Sequence, residues 1–417
     1  MNVKPRQDAW VQRPRGVRFR SSRFSTDCVM FSRSNLGGTV HSASTSRDTS
    51  ALPQVLLVSH GFGSNYERGF CNGLQDAGCK FMLISSDQTD YAGLRAGVNT
   101  LNLRGSQLSN RPRWRKAANM LRYHLALMLH VARHRPQVLH VIGLIHPPFL
   151  CGVIQGLWFR LWCNRYFLTV HDTEPHDRGT GWNRMLYSWA FRVAPYLVVH
   201  TTRLRDELVN QHGILSDRIT AVEHGLEPLV EAVELPGPGR QPQPLRLLVF
   251  GSVMRYKGVD LLLEALREFP CPTVLTIAGR CMNATLETEL RAQIAAHPLA
   301  RAIHWENIFV PEEAIPGLFT EADALVLAYR RIDQSGVLFQ AFRFGLPVVA
   351  TRVGAFADYV NEPMGECCEP ADPASLRMAL LRVVERYPAI DRAQLRLAGR
   401  RFEWQRTVQV LTVAYAA

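Results

Sequence analysis

Leu245-Arg246-Leu247-Leu248-Val249-Phe250-Gly251-Ser252-Val253-Met254-Arg255-Tyr256-Lys257-Gly258-Val259-Asp260 begins as a short apolar run, turns on glycine and enters a helical stretch to Arg267. A bounded apolar strand, a glycine turn and a helix make the first half of a βαβ unit. Gly251, Arg255 and Lys257 lie in that turn. Backbone N–H groups at a helix start favour anions, and Arg or Lys can pair with phosphate oxygens. The plainer alternative is a connection whose cations point to solvent.

Downstream the idiom repeats. A strand over 273–278 ends at Gly279, a helix over 284–297 follows, and a strand over 324–327 leads to Asp333-Gln334-Ser335-Gly336-Val337. That Ser-Gly loop opens a helix over 337–344 carrying Gln340, a second nest of backbone donors, before a strand over 347–350. Upstream, the Pro- and Gly-rich 235–244 suits neither a helix interior nor a central strand. Before it a second series reads strand 54–59, the loop His60-Gly61-Phe62-Gly63-Ser64-Asn65, a helix to Gly78 and strand 80–85. Further strands fall at 137–142, 166–170, 196–200 and 219–222. Their short apolar runs are those of parallel strands covered on both faces. Two doubly wound α/β halves leave a cleft between the carboxyl ends of two sheets, where ligands bind. His171-Asp172, at the end of a first-half strand, faces that cleft, and a histidine there can give a hydrogen bond or a proton at neutral pH. The alternative is a histidine that only caps the strand. Glu174, His176 and Asp177 follow on the same loop.

Length and composition agree with two domains: 417 residues, 47% hydrophobic and 20% charged. The nine cysteines form no Cys-x-x-Cys pair and no zinc-spaced cluster, so they read as idle thiols of a reducing cytoplasm. No apolar stretch follows the arginines of residues 1–24, and 145–162 is interrupted by His146, two prolines and Arg160. The expectation is a cytoplasmic chain without a leader or membrane span, soluble or peripheral on the inner membrane face. Net charge is +12, and residues 1–50, a flexible basic arm, hold nine Lys or Arg against three Asp or Glu. A second basic run extends from Arg104 to Arg135 with no acid in it. Such a field suits an anionic membrane or a pyrophosphate-bearing acceptor, ahead of a merely solvated face. Nucleic acid is not expected, because no recognition motif accompanies the charge. The helix over 116–132 is apolar nearly all round, and is read as buried in preference to dipping into a membrane surface.

The order of these motifs resembles the donor domain of family 4 glycosyltransferases, a GT-B fold. The matching pieces are the Gly251–Gly258 turn, Ala278-Gly279, the Ala322-Asp323 strand, the Ser335-Gly336 helix start and Gly345-Leu346-Pro347-Val348-Val349-Ala350-Thr351 with Val353-Gly354. The first half matches through the loop His60–Asn65, Thr169-Val170-His171-Asp172, His200-Thr201-Thr202 and Val222-Glu223-His224-Gly225. The resemblance implies an acceptor-side domain over 51–233, a linker over 234–244, a donor domain over 245–395, and a C-terminal helix over 396–417 that returns to the first domain. It implies a nucleotide-sugar donor (UDP-, GDP- or ADP-linked), a sugar or lipid-linked acceptor, retention at the transferred carbon, and neither metal nor cofactor. Lys257, with Arg255 and His171, is the implied catalytic set. Gly251, Gly279, Gln334, Ser335, Gly336, Val337 and Gln340 are implied for the donor, and Gly61, Gly63, Ser64, Asn65 and Asp172 for the acceptor. Three family positions differ. Ser252 replaces the usual arginine, and Ile332 and Gln340 replace a pair of glutamates. That loss keeps a non-catalytic relative that binds a sugar nucleotide or a partner as the alternative. An epimerase or phosphorylase on the same plan is the remaining one.

Overall fold

The computed structural model describes residues 54–60, 63–107, 112–145, 149–173, 181–226, 235–239 and 242–417. Expectations for the arm 1–50, Gly61, Glu174, His176 and Asp177, and part of the linker lie outside the described residues.

Seven parallel strands form the first sheet: β1 (Val55–Ser59), β2 (Phe81–Ser85), β3 (Asn99–Asn102), β4 (Val138–Ile142), β5 (Arg165–Thr169), β6 (Tyr196–Val199) and β7 (Ile219–Ala221). Their order is β3-β2-β1-β4-β5-β6-β7, so the chain reverses direction between β1 and β4. The second sheet holds β8 (Leu245–Phe250), β9 (Thr273–Ala278), β10 (Ile303–Trp305), β11 (Ala324–Leu327), β12 (Val348–Thr351) and β13 (Gly365–Cys368), ordered β10-β9-β8-β11-β12-β13. Its reversal lies between β8 and β11. Each sheet thus has a crevice at the carboxyl ends of its first strand and the strand that follows the reversal.

Alternation along β1 shows why a central strand is apolar throughout. Leu56 and Val58 pack with Tyr123, Leu127 and Val131 of the helix Arg113–His134, while Val55 and Leu57 pack with Phe70 and Leu74 of the helix Ser64–Asp76. Both faces are covered, and each such side chain withdrawn from water contributes about 1.5–3 kcal/mol. Trp404 and Tyr415 join the second of these layers, so the chain's carboxyl end packs on the first sheet. The second sheet is sandwiched likewise, with Leu247 and Val249 toward Leu262 and Leu376, and Leu248 toward Phe339 and Phe342.

The sequence reading lacks β3, β10 and β13, and all three are sheet edges. An edge strand needs no continuous apolar run: β3 is Asn-Thr-Leu-Asn and largely exposed. The helix Arg113–His134 also departs from expectation. Its inner stripe is buried, but Trp114, Leu121, Leu125 and Leu129 stay 52–67% exposed, so the burial expected all round holds for one stripe only. The apolar run 145–162 becomes a π-helix, Phe149–Ile154, continued by the helix Gln155–Trp162. Among the described residues no helix is long and apolar enough to cross a membrane. The eight described cysteines carry no disulfide, and six are buried.

Candidate active site

The second-sheet side of the cleft is built from backbone that approaches too closely to admit side chains. Gly251 follows β8 with φ +89°, and a Cβ on Gly279 would stand 2.0 Å from Gly251 O. Gly258, at φ +67°, starts the helix Val259–Leu266, and a Cβ there would stand 1.9 Å from Ala328 O at the end of β11. These contacts hold the turn down onto the sheet and bring Lys257 inward. Its Nζ lies 3.1 Å from the place a Gly251 Cβ would take, and 5.5 Å from the centre of the Tyr329 ring. Lys257 is buried, which pulls its pKa down to about 8, and among the described residues no carboxylate pairs with it. Val337 Cγ2 reaches within 3.6 Å of the same Gly251 point. Lys257, Gly251 and the start of the helix Gly336–Arg343 therefore converge.

Arg255 does not join them. Its side chain, 60% exposed, pairs with Glu289 at 2.5 Å, and its carbonyl accepts from Arg330. Ser335 precedes the helix and is buried; Gln334 Nε2 and Gln340 Oε1 are buried without a hydrogen-bond partner. A buried amide atom left unpaired costs about 1–3 kcal/mol, so these groups are poised for a ligand to satisfy them.

The facing side is made of side chains. The carboxyl ends of β1, β5, β6 and β7 lead into His60, His171, His200 and His224. His200 Nδ1 donates to Val222 O at 2.8 Å, which leaves Nε2 to accept from the Tyr66 hydroxyl at 2.9 Å. His224 Nδ1 donates to Gly225 O at 2.8 Å, so its Nε2 carries a free lone pair, 3.9 Å from where a Gly336 Cβ would be. Its ring stacks on Phe339 at 4.9 Å, and Trp404 closes the other side at 5.1 Å. His171 meets Tyr66 edge-on at 5.1 Å and His200 at 5.3 Å. Burial pulls the pKa of His200 down to about 4. Burial, and next the neighbouring His200, lower that of His224 to about 3. His171 has an edge open to the cleft, yet enclosure by protein and the neighbouring histidines lower its pKa as well. The cluster is a set of neutral imidazoles at physiological pH.

Between the two sides lies a cavity of about 240 Å³, bounded by Tyr66, His171, Asp172 and His224 on one side and by Gln334 and Gly336 on the other. Asp172 stands near enough to Tyr256 of the second half to help raise that phenol's pKa, after burial. Gly63, at φ +65°, caps the helix Ser64–Asp76, and Asn65 is exposed on its first turn; the side chain of Ser64 lies outside the described residues. Among the described residues no group of three His, Cys, Asp or Glu is placed to hold a metal ion. Tyr66, His200, His224 and Trp404 were not among the expected site residues. The available signal was a histidine recurring just beyond successive parallel strands, which becomes a cluster only once those strands are known to be neighbours.

A family model described as glycosyl transferases group 1 matches residues 244–386, and one described as glycosyltransferase family 4 matches residues 64–228. The chain is 27% identical over 238 residues to a GDP-mannose:glycolipid 4-beta-D-mannosyltransferase of Xanthomonas campestris pv. campestris, covering 54% of this chain and 63% of that one. It thus spans less than two thirds of that relative's length. A D-inositol 3-phosphate glycosyltransferase of Geodermatophilus obscurus is 24% identical over 362 residues, covering 80% of this chain and 79% of that one. Among solved structures, Anabaena HepE in complex with UDP-glucose superposes with a TM-score of 0.64 at 14% identity, covering 88% of this chain and 100% of that one. The last likeness is one of fold, the two-sheet GT-B plan.

Proposed function

The chain belongs to the glycosyltransferases of group 1 and family 4, and from that premise we propose that it moves a hexose, with retention, from a nucleoside-diphosphate sugar to a lipid-linked or polysaccharide acceptor. The observation that carries the donor assignment is Lys257: a buried ammonium without a carboxylate, against a glycine turn and a helix start. Departure of the nucleotide places negative charge on the pyrophosphate. A fixed cation and backbone N–H donors in a water-poor site stabilise that charge most where it develops. Gly251, facing Lys257 Nζ, leaves room for phosphates against the backbone, and Gly279 admits the Gly251 carbonyl that sets this turn. Gln334 and Gln340 find partners in sugar or ribose hydroxyls, Gln340 as the neutral replacement for one of the family's glutamates. Arg255 contributes by exchanging Glu289 for the pyrophosphate. The chemistry proposed needs no metal.

On the acceptor side, Gly63, Ser64, Asn65 and Asp172 are assigned to the incoming hydroxyl. His171, held neutral, gives a hydrogen bond to the sugar or leaving oxygen in preference to a whole proton. The exposed Trp114, Leu121, Leu125 and Leu129, flanked by exposed Arg115, Lys116, Arg122, Arg133 and Arg135, support work at an anionic membrane surface. Because a relative carries GDP-mannose in its name, a GDP-linked sugar is the first donor to try.

Thermal denaturation against UDP, GDP and ADP, with Lys257→Ala as control, tests the reading. One nucleotide raises the melting temperature of the wild type and not of the variant. No rise with any of them at millimolar concentration transfers the assignment to a non-catalytic relative.

A further inference from the structure

Arg104 lies just beyond β3, on the carboxyl edge of the first sheet, and only 8% of it is exposed. Its N–H bonds Ser85 O at the end of β2, and Asn119 of the helix Arg113–His134 bonds its carbonyl, so the backbone on which it sits is fixed. The guanidinium is a different matter. Its Nε is buried without an acceptor, and no carboxylate among the described residues pairs with it. The Tyr123 ring lies 5.2 Å from Cζ, and the hydroxyl of that ring is engaged by His60 Nδ1 at 2.8 Å. Asp87, whose N–H bonds Gly105 O, gives its carboxylate to Asn102 instead. Guanidinium does not shed its proton in proteins, so this is a permanent charge largely withdrawn from water, set against the Tyr123 ring and with no carboxylate among the described residues to balance it.

A second cation reaches the adjoining residue. Arg122 Nη2 lies 3.5 Å from where a Cβ on Gly105 would be, and Gly105 is the residue after Arg104, in the left-handed region at φ +64°. The segment from Arg104 to Arg135 contains no acid. His60, which opens the loop leading to Gly63, is tied to the same spot twice, through Tyr123 and through Gln107 Nε2 bonding its carbonyl at 3.1 Å. Arg104 and Arg122, neither paired with an acid among the described residues and Arg122 Nη2 donating to Asn119 Oδ1 at 3.2 Å, therefore sit near the base of the loop assigned above to the acceptor, on the opposite sheet from Lys257. A buried guanidinium fork without an acid matches the charge and geometry of a phosphate oxyanion.

We infer that Arg104 forms the core of an anion subsite, with Arg122 at the adjoining Gly105 adding to its field, separate from the donor pyrophosphate site, and that it receives a phosphate or pyrophosphate ester of the acceptor. The inference rests on the transferase reading for its ligand, but the subsite has its own signature. A structural arginine holds the fold together, whereas this one weakens the empty protein and is retained for what it binds.

The test uses the full chain with inorganic pyrophosphate as probe. Lys257→Ala removes the donor-side cation, and calorimetric titration of that variant still detects pyrophosphate. Adding Arg104→Met to it weakens this binding by about tenfold or more, the usual worth of a charged hydrogen bond. Arg104→Met alone melts at or above the wild-type temperature without anion, because an uncompensated charge is replaced by a side chain of similar length. A parallel arm measures binding to phosphatidylcholine vesicles with and without phosphatidic acid. Loss in Arg104→Met of the phosphatidic-acid increment places the phosphate on a lipid, and loss confined to soluble pyrophosphate places it on a soluble ester. Equal pyrophosphate affinity in Lys257→Ala and the double variant, or a clearly lower melting temperature for Arg104→Met, overturns the subsite. Nucleotide binding by the wild type is unaffected by either outcome and judges the donor reading separately.

Discussion

On the second sheet the cleft wall is made by backbone: Gly251, Gly258 and Gly279 exist as glycines because carbonyl oxygens of neighbouring turns stand about 2 Å from a Cβ or because φ is positive. On the first sheet the wall is made by side chains, Tyr66, His171, His200 and His224, gathered from one helix and three strand ends and closed by Trp404 from the carboxyl end of the chain. A backbone nest with one buried lysine suits a ligand whose charged part is constant, such as a diphosphate. A wall of side chains drawn from several elements suits a ligand recognised by shape and hydrogen bonds. The contrast teaches where each kind of change is felt: substitutions on the second sheet act on binding of a common group, and those on the first act on a packed cluster that the carboxyl end holds in place.

The largest effect expected from breaking this contrast is at Lys257. Lys257→Ala lowers kcat/KM by about 10²–10³-fold, the usual loss when a group stabilising developing charge is removed. It leaves the melting temperature unchanged or raised, since the lysine is desolvated and unpaired. Steady-state kinetics beside calorimetric melting separate the two readouts, and a fall in both would make Lys257 a structural residue.

Next in size is Gly225. A Cβ there would stand 2.1 Å from Trp404 Cδ2, and the neighbouring Leu226 exchanges backbone hydrogen bonds with Phe402 and Trp404. Gly225→Ala is expected to destabilise by about 1–3 kcal/mol in urea unfolding, while Gly237→Ala, with nothing within 4 Å, changes little. Equal effects at the two sites would detach the carboxyl end from the first-sheet wall.

Acid sharpens the comparison further. His60, His140, His171, His200 and His224, all in the first half, have pKa values depressed by burial, His140 and His60 to about 3 and His200 to about 4. The unfolded chain binds more protons than the folded one from the ordinary histidine value of about 6.5 down to those values, so stability falls as pH drops through that window. Amide exchange at pH 5 against pH 7 is expected to rise first in the elements around β4 to β7. A rise that begins in the second sheet would contradict it.

The smallest effect concerns the outer stripe of Arg113–His134. Replacing Leu121, Leu125 and Leu129 by Ser leaves transfer to a soluble acceptor and the melting temperature near wild type, because the side chains are exposed. Sedimentation with vesicles containing phosphatidylglycerol falls by an amount set by the apolar area no longer buried. Unchanged sedimentation would leave the stripe without a membrane role.

Much of the second-sheet wall was legible because its parts are consecutive. Strand, Gly251, Lys257, Gly258 and helix follow one another over a few residues, and local geometry plus the need for room beside a backbone dictates those identities. Arg255 shows where adjacency stops helping: two residues from Lys257, it faces Glu289 instead, and only the path of the helix Ala284–Ala295 decides that. The edge strands β3, β10 and β13 escaped for a related reason, since pairing on one side places few demands on composition.

What the sequence alone determined, then, is what short-range physics governs: apolar strands covered on both faces, glycines where the chain turns, a break rich in proline between two βαβ series, and a charge excess concentrated in two stretches. The tertiary structure decided which distant groups meet. His171, His200 and His224 become one neutral cluster only because β5, β6 and β7 lie side by side, and Trp404 reaches His224 only because the chain's end returns to the first sheet. Arg104 was one basic residue in a basic run until burial removed its water and supplied no acid in return. Charge is a property of the residue, but its cost, and so its use, is set by the solvent and partners that the fold leaves around it.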